Sequence, residues 1–409
     1  MLLTPSAAHS PPLLIFTYYF SRMKTITRTI LLLSLISLFT DVASEMLYPV
    51  IPIYLNSIGF SFLFIGILEG IAEAAAGLSK GYFGKLSDNT GKRLPFVRLG
   101  YSLSALSKPM MALFTFPAWI FTARSLDRFG KGIRTGARDA LLSAEATPAT
   151  KGRVFGFHRA MDTLGAVIGP SAALLYLYFY PHRYITLFYI AFIPGLISIA
   201  FTFLVKDKKH EIKENKTRFF DFLKYWKASP PAYRKLVTGL LLFALFNSSD
   251  MFLILQAKAN GLSDTQAIGI YIFYNLVYAV FSYPLGGLGD KIGLKKVFIP
   301  GLAVFALVYF GMAFSHSFYL FFALFFVYGI YTAATDGISK AWISNISDKK
   351  DTGTAIGTYT GFQSICTLFA SSLAGLVWYE FGALTLFLST GIITVFIILY
   401  FLFAVKTNN

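Results

Sequence analysis

Four carboxylic acids stand inside stretches that are otherwise apolar. Asp41 and Glu45 lie one helical turn apart, and Glu69 and Glu73 repeat that spacing in the next stretch. On a helix advancing about 100° per residue, Ser34, Ser37, Ser44, Glu45 and Tyr48 all fall within about 60° of Asp41. An ionisable side chain in hydrocarbon costs roughly 2.5–3.5 kcal/mol, so such residues face protein or a water-filled cavity. Burial and nearby cations push a carboxyl in opposite directions, so a small rearrangement changes its protonation. These four acids are therefore candidates for reversible proton binding, Asp41 first.

The matching cations sit further along. Arg124, Asp127, Arg128, Lys131, Arg134, Arg138, Asp139 and Glu145 occupy one segment of a chain that is only 14% charged. As a helix they share an arc of about 140°. A solvated surface helix could look the same, but apolar runs flank this segment on both sides. Arg124 and Arg128 are candidate switches or substrate anchors. Arg134, Arg138 and Asp139, with His158, Arg159 and Asp162 on the following stretch, read as an inner gate of salt bridges. A purely structural ion-pair network remains the alternative. Later stretches carry Asn247 and Asp250, a stripe of Tyr271, Tyr274, Asn275 and Tyr278, and the pair Asp336 and Lys340. The tyrosine stripe could line a cavity or simply pack between helices.

The elements that must position these residues are membrane helices. The chain has 409 residues and is 56% hydrophobic, and apolar stretches of spanning length recur throughout. About twelve are expected, near 28–55, 61–83, 94–115, 117–144, 153–178, 183–205, 235–256, 266–286, 296–314, 317–345, 354–378 and 383–404. The net charge of +16 has a topological origin. Lysines and arginines crowd alternate connections, such as Lys92 and Arg93, Lys206 to Lys235, and Lys295 and Lys296, while the others hold little beyond Arg183 and Lys258. That asymmetry places both termini in the cytoplasm of a multi-pass protein of the cytoplasmic membrane. It also removes the case for nucleic-acid binding. One cysteine, Cys366, allows no intrachain disulfide. No metal cluster, nucleophile elbow or phosphate loop is visible, so neither an enzyme nor a cofactor is expected. Residues 1–22 fit a misassigned start better than a signal peptide, because no early basic region precedes LLIFTYYF.

The chain also repeats itself. Gly59 and Gly261, and Asp88 and Asp290, stand 202 residues apart; Gly136 and Gly337, Gly152 and Gly353, and Gly156 and Gly357 stand 201 apart. The expectation is an all-α integral membrane fold of twelve helices in two pseudo-symmetric six-helix bundles, 23–205 and 235–406. The charged linker 206–234 joins them. Within it, Phe219, Phe220, Phe222, Tyr225 and Trp226 suggest a short surface helix facing lipid, an unstructured linker being the alternative. Two such halves are an alternating-access plan, which argues against a channel.

The loop after the second stretch reads Gly84, Leu86, Asp88, Gly91, Lys92, Arg93, and Gly287 to Lys296 echoes it around Asp290. This pattern resembles the major facilitator superfamily, and the resemblance covers residues 24–406. It implies that the loop docks against the other half and stabilises an outward-facing state. Asp88 could accept hydrogen bonds from basic residues and from a helix N-terminus near Gly353–Thr354. Asn89 departs from the family's usual arginine. Gly165, Gly169 and Pro170 resemble the motif of its proton-coupled antiporters, although Ala172 and Ala173 replace the glycines that usually follow. Close packing of small residues is the simpler account of the same stripe. The resemblance implies a monomeric transporter of a small organic molecule, working with protons and membrane lipids, most simply by efflux. The alternative is an importer or facilitator for an organic anion or a metal–siderophore complex.

Overall fold

The computed structural model describes residues 25–48, 50–60, 62–206, 218–248 and 250–405. Side chains at 52, 53, 56, 62–71, 73–75, 264 and 265 lie outside that description, and so do the readings of residues 1–22, Glu69 and Glu73. The described residues form helices and turns, with no strand among them. In chain order the helices are α1 (Arg28–Leu47), α2 (Val50–Ser57), α3 (Phe62–Thr90), α4 (Leu94–Leu113), α5 (Pro117–Ala144), α6 (Lys151–Phe179) and α7 (Tyr184–Leu204). They continue as α8 (Asp221–Ala228), α9 (Pro231–Phe246), α10 (Met251–Ala259), α11 (Asp264–Ile292), α12 (Leu294–Phe314), α13 (Phe318–Ile346) and α14 (Thr352–Ala404).

Local sequence sets these boundaries. Thr27 caps α1 by accepting the Ile30 amide at 3.3 Å. Ser263 and Gln266 exchange backbone and side-chain bonds in a capping box at the start of α11. Prolines open α4, α5 and α9, where a missing N–H costs nothing. Two glycine pairs at turns account for part of the repeat. Gly59 and Gly261 turn with φ of 97° and 96°, and Gly91 and Gly293 with 62° and 103°. Other residues rarely adopt that region, so the same turn demands the same residue twice.

Two stretches expected as single helices are broken. The 28–55 stretch divides after Leu47, beside Pro49, which cannot supply a helical N–H. The 235–256 stretch divides between Phe246 and Met251, where Asn247 leaves the helical region. Conversely, α14 runs through two expected spans and bends at Gly382 (φ 82°, ψ 167°). Eight helices among the described residues are long and apolar enough to cross a membrane by composition alone. The seven charges of α5 between Arg124 and Asp139 keep it out of that number, although most of that helix is buried.

Helix α1 packs on α6 and α7, α5 on α3 and α4, α13 on α11 and α12, and α14 on α9 and α12. Two further seams cross between early and late parts of the chain: α6 against α11 and α13, and α14 against α3 and α5. Most of the charged residues considered above lie at or beside these seams.

Candidate functional site

The two seams are closed by the same device. On one, Gly84 of α3 lies against Gly353 and Gly357 of α14, and a Cβ at Gly84 would sit 3.4 Å from the Gly357 Cα. On the other, Gly286 of α11 lies against Gly152 and Gly156 of α6, with 3.3 Å to the Gly156 Cα. One turn beyond each glycine stands an aspartate that caps the facing helix. Asp88 accepts the Gly353 amide at 3.3 Å, the Thr354 amide at 2.6 Å and the Thr354 hydroxyl at 2.9 Å. Asp290 accepts the Gly152 amide at 2.7 Å and the Arg153 amide at 2.8 Å. A carboxylate on a helix N-terminus satisfies orphan amides and meets the positive end of the helix dipole. Between the seams, Ser143 and Ser344 face each other at 2.5 Å. They stand 201 residues apart, as the glycine pairs do, which is what a two-fold axis running between them requires.

The clamps differ in one respect. Arg93, buried, pairs with Asp88 at 3.1 Å and also reaches the carbonyls of Ala140 at 3.2 Å and Lys349 at 3.4 Å. Among the described residues, the ion-pair partner of Asp290 is Arg153 Nε, at 4.0 Å. Lys92 is exposed, so of the two basic residues expected to anchor this loop, Arg93 is the one inserted into it.

Deeper along the seams lies a continuous polar network. Arg159 of α6 bridges Asp162 on its own helix and Asp336 of α13, at 2.5 Å each. The Tyr278 hydroxyl donates to Asp336 at 2.7 Å. Asp139 of α5 pairs with Arg138 and with Lys340 of α13, both at 2.9 Å. Arg138 also donates to Ser37 of α1 at 3.2 Å, and Ser37 donates to Asp162. His158 is buried with Nδ1 3.5 Å from the Ser34 hydroxyl. Residues that the sequence groups only by helix face are thus joined into one chain linking α1, α5, α6, α11 and α13.

Asp41 and Glu45 approach this network from α1. Asp41 meets the Asp162 carboxyl side chain to side chain. Among the described residues neither acid makes an ion pair, so the expected direct pairing with α5 arginines is not what the structure contains. Lys131 lies within electrostatic reach of both acids, and Arg128 within reach of Glu45. Lys131 is exposed on α5. The glycines of the antiporter-like motif seat this part of α1. A Cβ at Gly165 would come within 2.8 Å of the Asp41 Cβ, and one at Gly169 within 2.7 Å of the Met46 amide. Pro170 follows, buried inside α6.

Arg124 is partly neutralised on its own helix by Asp127 at 3.6 Å. Asp127 is also held by Lys108 of α4 at 2.7 Å and by Ser104 at 2.6 Å, and Lys108 reaches Ser44 of α1 at 3.1 Å. Sequence reasoning missed Lys108, although a lysine within an apolar stretch is the same signal that singles out Asp41. Arg134 is buried with its guanidinium 4.4 Å from the centre of the Tyr101 ring, a stacking arrangement rather than a gate pair.

The later helices hold an aromatic cluster. Asp250, at the break between α9 and α10, accepts the Tyr328 hydroxyl at 2.7 Å and the Tyr274 hydroxyl at 3.1 Å. Asn247 donates to the Tyr331 hydroxyl at 3.1 Å. Tyr274 and Tyr278 are buried with their hydroxyls committed to acids, Asn275 donates to its own helix at Tyr271, and Tyr271 remains partly open. Tyr271 lies within electrostatic reach of both Glu45 and Asp250.

Comparison with known proteins agrees with this architecture. The family model of the Major Facilitator Superfamily matches residues 33–258 and 250–409. The chain belongs to that superfamily. It is a multi-pass membrane protein of a family of transporters, not an enzyme. An uncharacterized MFS-type transporter of Methanocaldococcus jannaschii is 34% identical over 363 residues, covering 87% of this chain and 89% of that one. A multi-drug resistance efflux pump PmrA homolog of Lactococcus lactis is 23% identical, covering 84% of this chain and 87% of its own. Among solved structures, the transporter FucP in the outward conformation superposes with a TM-score of 0.74 at 15% identity, over 94% of this chain and 100% of its own.

Proposed function

We propose that this protein is a secondary active transporter that exports a small organic solute across the cytoplasmic membrane in exchange for protons. It crosses the membrane twelve times in two six-helix bundles, 23–205 and 235–406, with both termini and the 206–234 linker in the cytoplasm. The four spans beyond the eight counted by composition are α3, α4 and α5, and the second half of α14, which is counted once although it bends at Gly382.

The observation that carries the coupling is Arg159. It holds Asp162, the neighbour of Asp41, and at the same time holds Asp336 across the seam. If the cytoplasmic ends separate, Arg159 must give up one carboxylate. The charge balance at Asp41 and Asp162 then changes in the same movement that exposes them to the other side. A proton taken up when the site opens in one direction and released in the other is the requirement for exchange. The closed clamps at Asp88 and Asp290 make the present state one whose cytoplasmic face is shut. Support for export comes from the glycine stripe Gly165/Gly169 seated against Asp41 and Glu45, and from the similarity to a protein described as a multi-drug efflux pump.

The test is proton movement in proteoliposomes with an imposed pH gradient, on addition of candidate amphipathic solutes. Solute-dependent proton flux that Asp41→Asn abolishes, while substrate binding persists, is the expected result. Transport with no proton movement, or transport unaffected in Asp41→Asn, refutes the coupling. Accumulation along the proton gradient refutes export.

A further inference from the structure

The short helix α8 was expected to turn its aromatic residues to lipid, and it does so only in part. Phe222 is 2% exposed. Its ring fills the notch at Gly81 of α3 and lies 6.4 Å from the Phe362 ring of α14. Tyr225 and Trp226, on the same face, pack on Tyr233 at 5.2 and 6.4 Å. Tyr233 in turn donates to the Ala355 carbonyl of α14 at 2.8 Å. Lys85 of α3 donates to the Asp221 carbonyl at 2.9 Å, and the Tyr82 ring packs on Phe219 at 5.2 Å, tilted by 33°. So α8 is pinned across the α3–α14 seam, the seam that Asp88 clamps.

Phe362 lies ten residues into α14, about 15 Å along its axis. Helix α8 therefore lies alongside the flanks of the spanning helices, not below their ends. Its outer side carries exposed Phe219, Phe220 and Leu223 next to exposed Arg218, Lys224 and Lys227. Lys224 caps Asp221 at 2.7 Å but remains 77% exposed, and it holds the Asp221 carboxyl below the usual range together with the Arg218 amide. Apolar rings flanked by cations match an anionic lipid surface in both shape and charge.

We propose that α8 is a latch that docks on anionic lipid headgroups of the inner leaflet and thereby holds the cytoplasmic face closed through Phe222. Opening that face moves α3 away from α14, so Phe222 must lose one of its two walls. Lipid that fixes α8 against the flank opposes this separation. The inference takes from the proposed function only the orientation of the chain, and its readout involves no transport.

The experiment is hydrogen exchange of the full chain in bilayers of phosphatidylcholine alone and of phosphatidylcholine mixed with phosphatidylglycerol. Phosphatidylglycerol is expected to slow exchange at amides 221–228 and at 353–358, the latter being the amides under the Asp88 clamp. Lys224→Glu with Lys227→Glu removes the lipid response, by about fivefold in protection per lysine. Phe222→Ala keeps the response at 221–228 and loses it at 353–358. Equal exchange in the two bilayers, or a response that survives the double charge reversal, overturns the docking. A response at 353–358 that survives Phe222→Ala overturns the coupling.

Discussion

Replacing Asp88 by asparagine should move the conformational equilibrium far more than the same change at Asp290. The wild-type Asp88 carboxylate accepts two amides, a hydroxyl and a guanidinium. All four partners are donors, and asparagine offers one acceptor oxygen and an NH2 group that would point at a donor. Hydrogen bonds to a charged group contribute about 1.5–3 kcal/mol each in net terms, and a helix N-terminus adds roughly 0.3–1 kcal/mol. The asparagine oxygen can still accept two of the four and Arg93 keeps two carbonyls, so the closed state should lose about 3–6 kcal/mol, a shift of roughly two to four orders of magnitude toward the cytoplasm-open state. At Asp290 two amide bonds and no close cation are at stake. There one of the two bonds is lost, about 1.5–3 kcal/mol, or roughly 10- to 140-fold. Spin labels at Lys92→Cys and Lys350→Cys, both exposed positions beside the α3–α14 seam, in a Cys366→Ser background, would report the separation by pulsed EPR. A larger long-distance population in Asp88→Asn than in Asp290→Asn is expected. Equal shifts, or none in Asp88→Asn, would refute the assignment of the stronger clamp.

Other consequences can be checked by unfolding and coupling measurements. Lys108→Met should destabilise by about 1.5–3 kcal/mol, since Asp127 loses its shortest cation contact but keeps Arg124 and Ser104, and Asp127→Leu, which takes a carboxylate from both Lys108 and Arg124, should cost more; thermal melting in detergent compares the two. A cycle of Arg159→Ala and Asp336→Ala should show strong non-additivity in the open–closed equilibrium, and independent effects would mean that the bridge does not hold the seam. Gly165→Ala must displace α1 backbone and should cost about 1–3 kcal/mol, while Gly269→Ala on α11, with nothing within 4 Å, should be neutral or stabilising by up to about 1 kcal/mol.

Much of this protein is legible in its sequence because the lipid environment leaves few options. Backbone polar groups in hydrocarbon must be paired within a segment, so long apolar runs become helices. The cost of charge in lipid makes Asp41, Glu45, Arg124 and Asp336 stand out without any structure. Turns at Gly59, Gly91, Gly261 and Gly293 need a positive φ, so the repeat in the chain is also a repeat in the residue type. Even the contact of Asp88 with the Gly353–Thr354 end of a helix follows from the match of a carboxylate to orphan amides.

Partners were another matter. A helical wheel gives the face on which Arg138 or Lys108 lies, but the neighbour across that face is set by how helices stack. Only the packed structure decides that Asp139 is shared by Arg138 and Lys340, that Asp127 takes Lys108, and that Asp41 faces Asp162 rather than an arginine. The same holds for Phe222. Its type predicts burial in something apolar, and lipid and a protein seam are equally apolar. Gly81, by leaving a notch in α3 beside Phe362 of α14, is what sends the ring into the seam.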